Sequence, residues 1–337
     1  MKTYNPIRFI WNVKPIVKMT EYYISEVDTE KQVVEEPAVN YGYVCSPMNY
    51  IGGKYKLLPQ LLPLFPKGIN TFIDLFCGGC NVGINVRAKQ IVFNDNLSYL
   101  IDLYKAFELL ESNEVISHIE NRINEFDLSL TNETGYKKLR QLYNTERNPL
   151  DLFVLVAYSF NHQIRFNNSH EFNNPFGRER SSFNSKMRSN LYSFLNQLRE
   201  KNTKFCCSNF DDYDFSDLRD SDFVYCDPPY LITTGTYNDG KRGFTGWSEN
   251  EEMGLLNLLT ELNNKGVQFG LSNVLKHKGK RNELLQEWAE NNNLNVIHLN
   301  KNYSNSNYHT IDRNIQSTDE VLITNYRPQH EELLFNF

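Results

Sequence analysis

Apolar residues along this chain occur in two kinds of run. Short and nearly continuous ones, TFIDLF at Thr71–Phe76, QIVFND at Gln90–Asp95 and SDFVYCD at Ser221–Asp227, have the length of buried strands. The stretch SENEEMGLLNLLTELNNKG, Ser248–Gly266, instead repeats leucine on one helical face. Ser248 can cap it, Glu251 completes a capping box and Gly266 stops it. VQFGLSN, ELLQEWAENN, NVIHLN and EVLITNY follow as strand, helix, strand, strand. That βαβα order, closing in two strands, predicts an α/β fold with a mostly parallel sheet between helices. From about residue 100 to 200 the pattern changes to long helical segments with polar loops, as expected of a helical subdomain inserted at 101–200. The body then comprises 46–100 and 201–337. Residues 1–45, a basic aromatic piece followed by an acidic one without periodicity, read as a flexible or loosely docked extension.

Composition narrows the class. An aromatic share of 13%, with 20 Tyr and 22 Phe in 337 residues, argues against disorder over most of the length. No apolar run reaches the roughly 18 residues of a spanning helix. The apolar residues of MKTYNPIRFIWNVKPIVKM are broken by Asn, Lys and Pro, a poor signal-peptide core. A cytoplasmic protein without a membrane association is the expectation. CGGC at Cys77–Cys80 invites a zinc or dithiol reading, but neither Cys206–Cys207 nor Cys45 and Cys226 supply a second ligand pair, so no metal is expected.

Net charge is −6, yet it is unevenly spread. Lys137–Arg188 holds nine Lys or Arg against four Asp or Glu, and KHKGKR at Lys276–Arg281 is a second basic cluster. Either could be a solvated face; two such zones on an acidic chain fit a protein that grips phosphate along one cleft.

Four stretches carry candidate chemistry. In FIDLFCGGCNVGIN a strand runs into Gly78–Gly79, with Gly83 opening a helix, which brings backbone close to a nucleotide-like ligand. Asp95 ends the next strand, where an acid can accept ribose hydroxyls or simply cap a helix. In YIGGKYKLL the paired glycines and Lys54 at a helix start could present backbone and ammonium to an anion, or form a plain turn. The fourth is DFVYCDPPY, Asp222–Tyr230. Consecutive prolines fix φ and push Asp227 toward an extended conformation, making a stiff corner. An exocyclic amine on an aromatic ring is a poor nucleophile because its lone pair is delocalised. Acceptance of both its hydrogens by the Asp227 carboxylate and the Pro228 carbonyl would localise that pair, and Tyr230 offers a face for a base to stack on.

Together, and in this order, YIGGK, FIDLFCGG, NDN and DPPY resemble the Dam-like (D12 class, alpha group) DNA adenine-N6 methyltransferases, over roughly Met48–Tyr326. IRFNNSHEFNNPFGR, Ile164–Arg178, is similar to that family's DNA-contacting hairpin, and LSN at Leu271–Asn273 also matches. The resemblance implies a Rossmann-like, S-adenosylmethionine (SAM)-dependent methyltransferase sheet at 46–100 and 201–337. It further implies a target-recognition insert at 101–200 with its hairpin near 158–178. By the same resemblance, Tyr50, Lys54, Asp74, Phe76, Gly78, Gly79, Asp95 and Asp227 form the SAM pocket. Asp227, Pro228 and Tyr230 are the catalytic residues, and Asn161, Arg165, Asn167 and Arg178 contact DNA.

The implied reaction is transfer of the SAM methyl group to N6 of a flipped adenine in duplex DNA, without a metal. The implied setting is a restriction-modification system with a cognate endonuclease. Departures are DLFCGGC in place of a Glu-Pro-Phe and Gly-x-Gly turn, NHQ ahead of Arg165, and TGTYNDGKRGFTGW after the corner, so the target need not be GATC. Cytosine N4 or RNA as substrate, a non-catalytic DNA-binding regulator, and a redox protein built on Cys77 and Cys80 are the rival readings.

Overall fold

The computed structural model describes residues 42–50, 52–233, 247–299 and 318–328. Most of the expected extension (1–41) and the stretch 234–246 after the proline corner lie outside the described residues. Among the described residues the strands are β1 (Ile69–Asp74), β2 (Ala88–Asp95), β3 (Thr203–Cys207), β4 (Phe223–Cys226), β5 (Gln268–His277), β6 (Lys280–Arg281), β7 (Asn295–Leu299) and β8 (Thr318–Thr324). The helices are α1 (Leu58–Leu61), α2 (Ser98–Leu109), α3 (Ser112–Glu125), α4 (Glu133–Glu146), α5 (Pro149–Tyr158), α6 (Ser185–Arg199), α7 (Glu249–Asn264) and α8 (Glu283–Asn291).

One sheet joins all eight strands in the order β3-β2-β1-β4-β5-β8-β7, with β6 paired to β5. β3, β2, β1, β4 and β5 are parallel, whereas β8 and β7 run antiparallel. This is the mostly parallel α/β sheet flanked by helices that the apolar runs predict, consistent with a Rossmann-like methyltransferase fold. Strand order reverses between β1 and β4, and ligands of open parallel sheets bind beyond the carboxyl ends of the strands at such a switch point. Asp74 ends β1 and Asp227 follows β4, so the reversal sets two carboxylates at the mouth of one crevice.

Side-chain alternation explains the layers. Phe72, Phe223 and Tyr225 face a core shared with α2–α6, while Ile73, Val224 and Cys226 face the core closed by α7 and α8. α7 begins as expected, with Ser248 and Glu251 forming the capping box, and Gly266 follows it at φ 76°. α5 is the pivot of the helical region. Asn148 caps it, Pro149 opens it, and every residue from Leu150 to Tyr158 is buried, as a helix apolar on all sides requires.

Gly83 opens the short helix after the glycine turn, a 3-10 turn of three residues, Gly83–Asn85. Two strands escaped the sequence reading. β3 was not anticipated, because in Thr203–Cys207 only Phe205 is buried and no apolar run marks it. β6 is a further unanticipated strand, two residues long and fully exposed. At the near end of the expected extension, the Val44 backbone is tied to the body by the Asn85 side chain, at 2.8 Å through N–H and 2.8 Å through C=O.

Candidate active site

The corner after β4 holds a buried ionic cluster. Lys54, entering the 3-10 turn Tyr55–Leu57, brings its ammonium within 2.7 Å of Asp227 Oδ1 and 2.7 Å of Oδ2, and donates to the Gly52 carbonyl at 3.1 Å. Glu320 on β8, 1% exposed, lies 3.7 Å from the same ammonium. The Tyr230 hydroxyl stands 3.1 Å from Asp227 Oδ1 and 3.3 Å from Glu320 Oε1, so its one proton can serve either carboxylate. Its ring lies under Lys54, whose ammonium is 5.1 Å from the ring centre. Burial pushes the Asp227 carboxyl up, against the opposing pull of Lys54. Two carboxylates thus share the Lys54 ammonium. Behind it, Tyr225 bonds Ser272 at 2.7 Å.

A cleft of about 390 Å³, counting its open mouth, adjoins this cluster. Tyr50, Lys54, Asp74, Phe76, Gly78, Gly79 and Asp227 all line it, so seven of the sequence-derived residues converge on one hollow. The glycines are required there. Gly78 sits at φ +44°, and a Cβ on it would come within 2.9 Å of the Tyr50 ring. Asp74 is buried and accepts the Gly83 amide at 3.0 Å. A side chain at Gly83 would meet Phe93 at 2.4 Å, which explains this glycine without invoking a ligand. Burial raises the Asp74 carboxyl to about 7, the Gly83 amide opposing. Phe76 packs in a triangle with Phe210 and Trp247, each 5.7 Å away between ring centres.

Asp95 stands apart from this wall. Its oxygens accept the amides of Gly78 and Leu97, each at 3.0 Å, so it holds the glycine turn and the entry to α2 in one grip. Asn273 is buried against Glu252 at 3.1 Å, a structural contact. Cys77 and Cys80 are buried and burial pushes both thiols up, which keeps them protonated rather than reactive.

Residues 158–178 form an irregular two-stranded ribbon. Bridges at Ser159–Phe176 and Phe166–Phe172, with bonds such as Asn173 N–H to Arg165 C=O at 2.9 Å, hold it together. Phe166 stacks on Tyr99 at 4.3 Å, and Asn49 donates to the Asn161 carbonyl at 3.1 Å, which anchors the ribbon beside the end of β2. Asn161 is exposed in the left-handed region, φ 56°, and Arg165 is exposed on the ribbon's flank. Asn167 has its side chain occupied within the ribbon tip, accepting from Ser169 and Glu171 N–H. Arg178 pairs with Glu133 on α4 at 2.9 Å.

Glu320 escaped the sequence reading. The available signal was an acid opening the apolar run EVLITNY, at a position where a strand residue would be buried.

The sequence profile of the D12 class N6 adenine-specific DNA methyltransferases matches residues 50–305. The chain belongs to this family. Among similar proteins are the modification methylase StsI of Streptococcus sanguinis, 52% identical over 87% of this chain and 44% of that protein, and the Type II methyltransferase M.FokI of Planomicrobium okeanokoites, 51% identical over 90% and 46%. The DNA adenine methylase of Escherichia coli (strain K12) is 25% identical over 77% of this chain and 89% of its own length. The chain therefore spans about half the length of the first two relatives. A D12-class methyltransferase implies SAM as methyl donor, and the cleft suits that group. Gly78 and Gly79 leave open a cradle that a Cβ would fill against Tyr50, and the carboxyl groups of Asp74 and Asp227 line it with acceptors suited to a polar, cationic group. No helix among the described residues is long and apolar enough to cross a membrane.

Proposed function

We propose that this chain methylates N6 of an adenine in duplex DNA, with SAM as donor, as the modification activity of a restriction-modification system with a partner endonuclease. The observation that carries the reading is the Asp227 carboxylate, held rigid by the proline corner at the switch point of the sheet and opening onto the Tyr50–Gly78 cleft. The names of the relatives StsI and M.FokI, a modification methylase and a Type II methyltransferase, support the setting.

Tyr50, Asp74, Phe76, Gly78 and Gly79 would hold the donor, with Asp95 stiffening the glycine turn. SAM supplies an activated methyl group on a sulfonium when bound. Asp227 and the Pro228 carbonyl accept the two N–H groups of the target amine and turn its lone pair out of conjugation. Tyr230 stacks on the extruded base, since an amine buried in the duplex cannot reach this corner. Negative charge on Asp227 offsets the positive charge that grows on nitrogen as the bond forms. Alignment is the main task of these groups. Arg165, exposed on the ribbon, reads a base edge, Asn161 approaches the extruded position, and Asn167 and Arg178 shape and brace the ribbon.

Transfer of labelled methyl to duplex DNA, with nucleoside analysis of the product, tests the reading. N6-methyladenine should appear with the wild type and vanish with Asp227→Ala, which should still bind SAM. Methylcytosine as product, or near-normal turnover by the variant, would show the reading to be wrong.

A further inference from the structure

Beyond Glu320 on β8, the sheet continues into a basic feature that the chemistry above does not use. Val274 pairs with Glu320, Lys276 with Asp319 and His277 with Thr318; the chain then turns and returns as β6, with Lys280 opposite His277 and Arg281 opposite Lys276. Lys278 and Gly279 form the turn at φ 46° and 83°. Positive φ at both central residues is what a tight two-residue hairpin demands, and it sets the strand twist and direction rigidly. Lysine is a costly occupant of the left-handed region, where asparagine or glycine is the easier choice. Something other than the turn geometry favours a cation there.

Lys276, Lys278, Lys280 and Arg281 are all exposed, and among the described residues no carboxylate lies within 4.0 Å of their charges. Of the acids that neighbour the hairpin in the sheet and in sequence, Asp319, opposite Lys276, is paired with His298 at 2.7 Å, and Glu283 lies in the first turn of α8. Position in the sheet gives this feature a direction. β5 lies beside β4 with Leu271 opposite Cys226, so its remaining residues project past the level of Asp227. From Val274, on the rung of Glu320, to Lys278 is four residues, or about 13 Å at the rise of a strand. The DNA-facing ribbon of residues 158–178 is anchored at the end of β2, and β2 and β5 flank the β1–β4 switch point on opposite sides.

We propose that the hairpin at residues 276–281 grips the phosphate backbone of duplex DNA on the far side of the reacting base from the insert. A span of about 13 Å corresponds to about four nucleotide steps of a strand. The hairpin then holds the flanking duplex while the target base leaves it. This rests on duplex DNA being the substrate, as proposed above. The contacts are ionic and carry no base preference.

The test uses the full chain and the variant Lys278→Gln/Lys280→Gln/Arg281→Gln, which removes three charges, keeps polar side chains and alters only exposed positions. Binding to a 30-base-pair DNA duplex of mixed sequence is followed by anisotropy between 50 and 200 mM salt. Each lost phosphate contact should make the slope of log K against log salt shallower by about 0.9. For the triple variant we expect a total change of about 2.7 and at least tenfold weaker binding, with SAM affinity and thermal midpoint unchanged. An unchanged slope, or affinity within twofold of wild type, overturns the proposal while leaving the function intact. A loss confined to an RNA duplex probe overturns it too. Failure of the wild type itself to bind the DNA duplex would remove both this proposal and the function on which it rests.

Discussion

The buried ammonium of Lys54 sits 2.7 Å from each carboxylate oxygen of Asp227. In this state the acceptor that the proposed reaction assigns to the substrate amine is already engaged. An incoming amine must displace at least one of these bonds. Glu320, 3.7 Å from the same ammonium, offers Lys54 an alternative partner without returning it to water. The cluster is therefore arranged to exchange partners rather than to hold one ion pair permanently.

Replacing Lys54 by Met follows directly from that arrangement. The substitution keeps the shape and removes the ammonium that Asp227 and Glu320 share. Breaking one side of a buried pair typically costs about 3–5 kcal/mol. The expected outcome is a lower denaturant midpoint at pH 8 that recovers partly as pH falls and one of the carboxylates takes up a proton. Chemical denaturation at several pH values reads this, and equal destabilisation at every pH would contradict it.

Asp74 predicts a pH dependence of stability with a definite sign. Burial raises its folded-state carboxyl to about 7, above its value in the unfolded chain. Between these two values the folded protein binds more protons than the unfolded one, so this residue's contribution is greatest in acid and is lost as pH rises through about 7. Asp74→Asn keeps an acceptor for the Gly83 amide and cannot titrate. Its stability should vary less between pH 4 and 7 than that of the wild type, read as the difference of the two unfolding curves at each pH. Parallel curves would remove Asp74 as the source.

Much of this site could be read from residue order because its parts are local. A run of apolar residues ending in Asp-Pro-Pro-Tyr, or in Asp-Leu-Phe-Cys-Gly-Gly, carries its own turn chemistry, and the sheet merely aligns the two strand ends. Ser248 and Glu251 announce α7 for the same reason. Glu320 was illegible because it becomes part of the cluster only when β8 inserts beside β5 and faces Lys54, from the other end of the chain. β3 was missed because an edge strand with one buried side chain has no pattern to display. The positions of Arg178 and Asn167 show a further limit. Sequence placed them in the ribbon, but could not tell that one meets Glu133 and the other closes the tip.

That difference separates two arginines on one ribbon. Arg165 is exposed on the flank, whereas Arg178 is tied to Glu133. Arg165→Ala should relax discrimination at one base pair of the recognition site by about 1–3 kcal/mol, the usual worth of a bidentate base contact. Arg178→Ala should leave the ranking of sequences unchanged and affect all of them alike. Methylation rates on a set of single-base-pair variants of the site distinguish the two. Unchanged discrimination with Arg165→Ala would remove it as a base reader.

Glu320→Gln isolates the second carboxylate of the cluster. Groups facing Asp227 are Lys54 before α1, Tyr230 in the proline corner, Tyr225 on β4, Asp74 on β1 and Glu320 on β8. Burial is the main cause of the raised Asp227 carboxyl, Lys54 opposes it, and the charge of Glu320 adds to the rise. Without that charge Asp227 ionises at lower pH. In the proposed role Asp227 offsets charge on the amine only when ionised, so the acid limb of the single-turnover methylation rate should move to lower pH in the variant. The rate on its plateau should meanwhile fall, since Lys54 loses the charged partner to which it can retreat. A merely structural role for Glu320 would lower stability and leave the acid limb where it was. Glu320→Asp, which keeps the charge, should restore the limb to its wild-type position, and a limb that follows side-chain length rather than charge would exclude this account of the cluster.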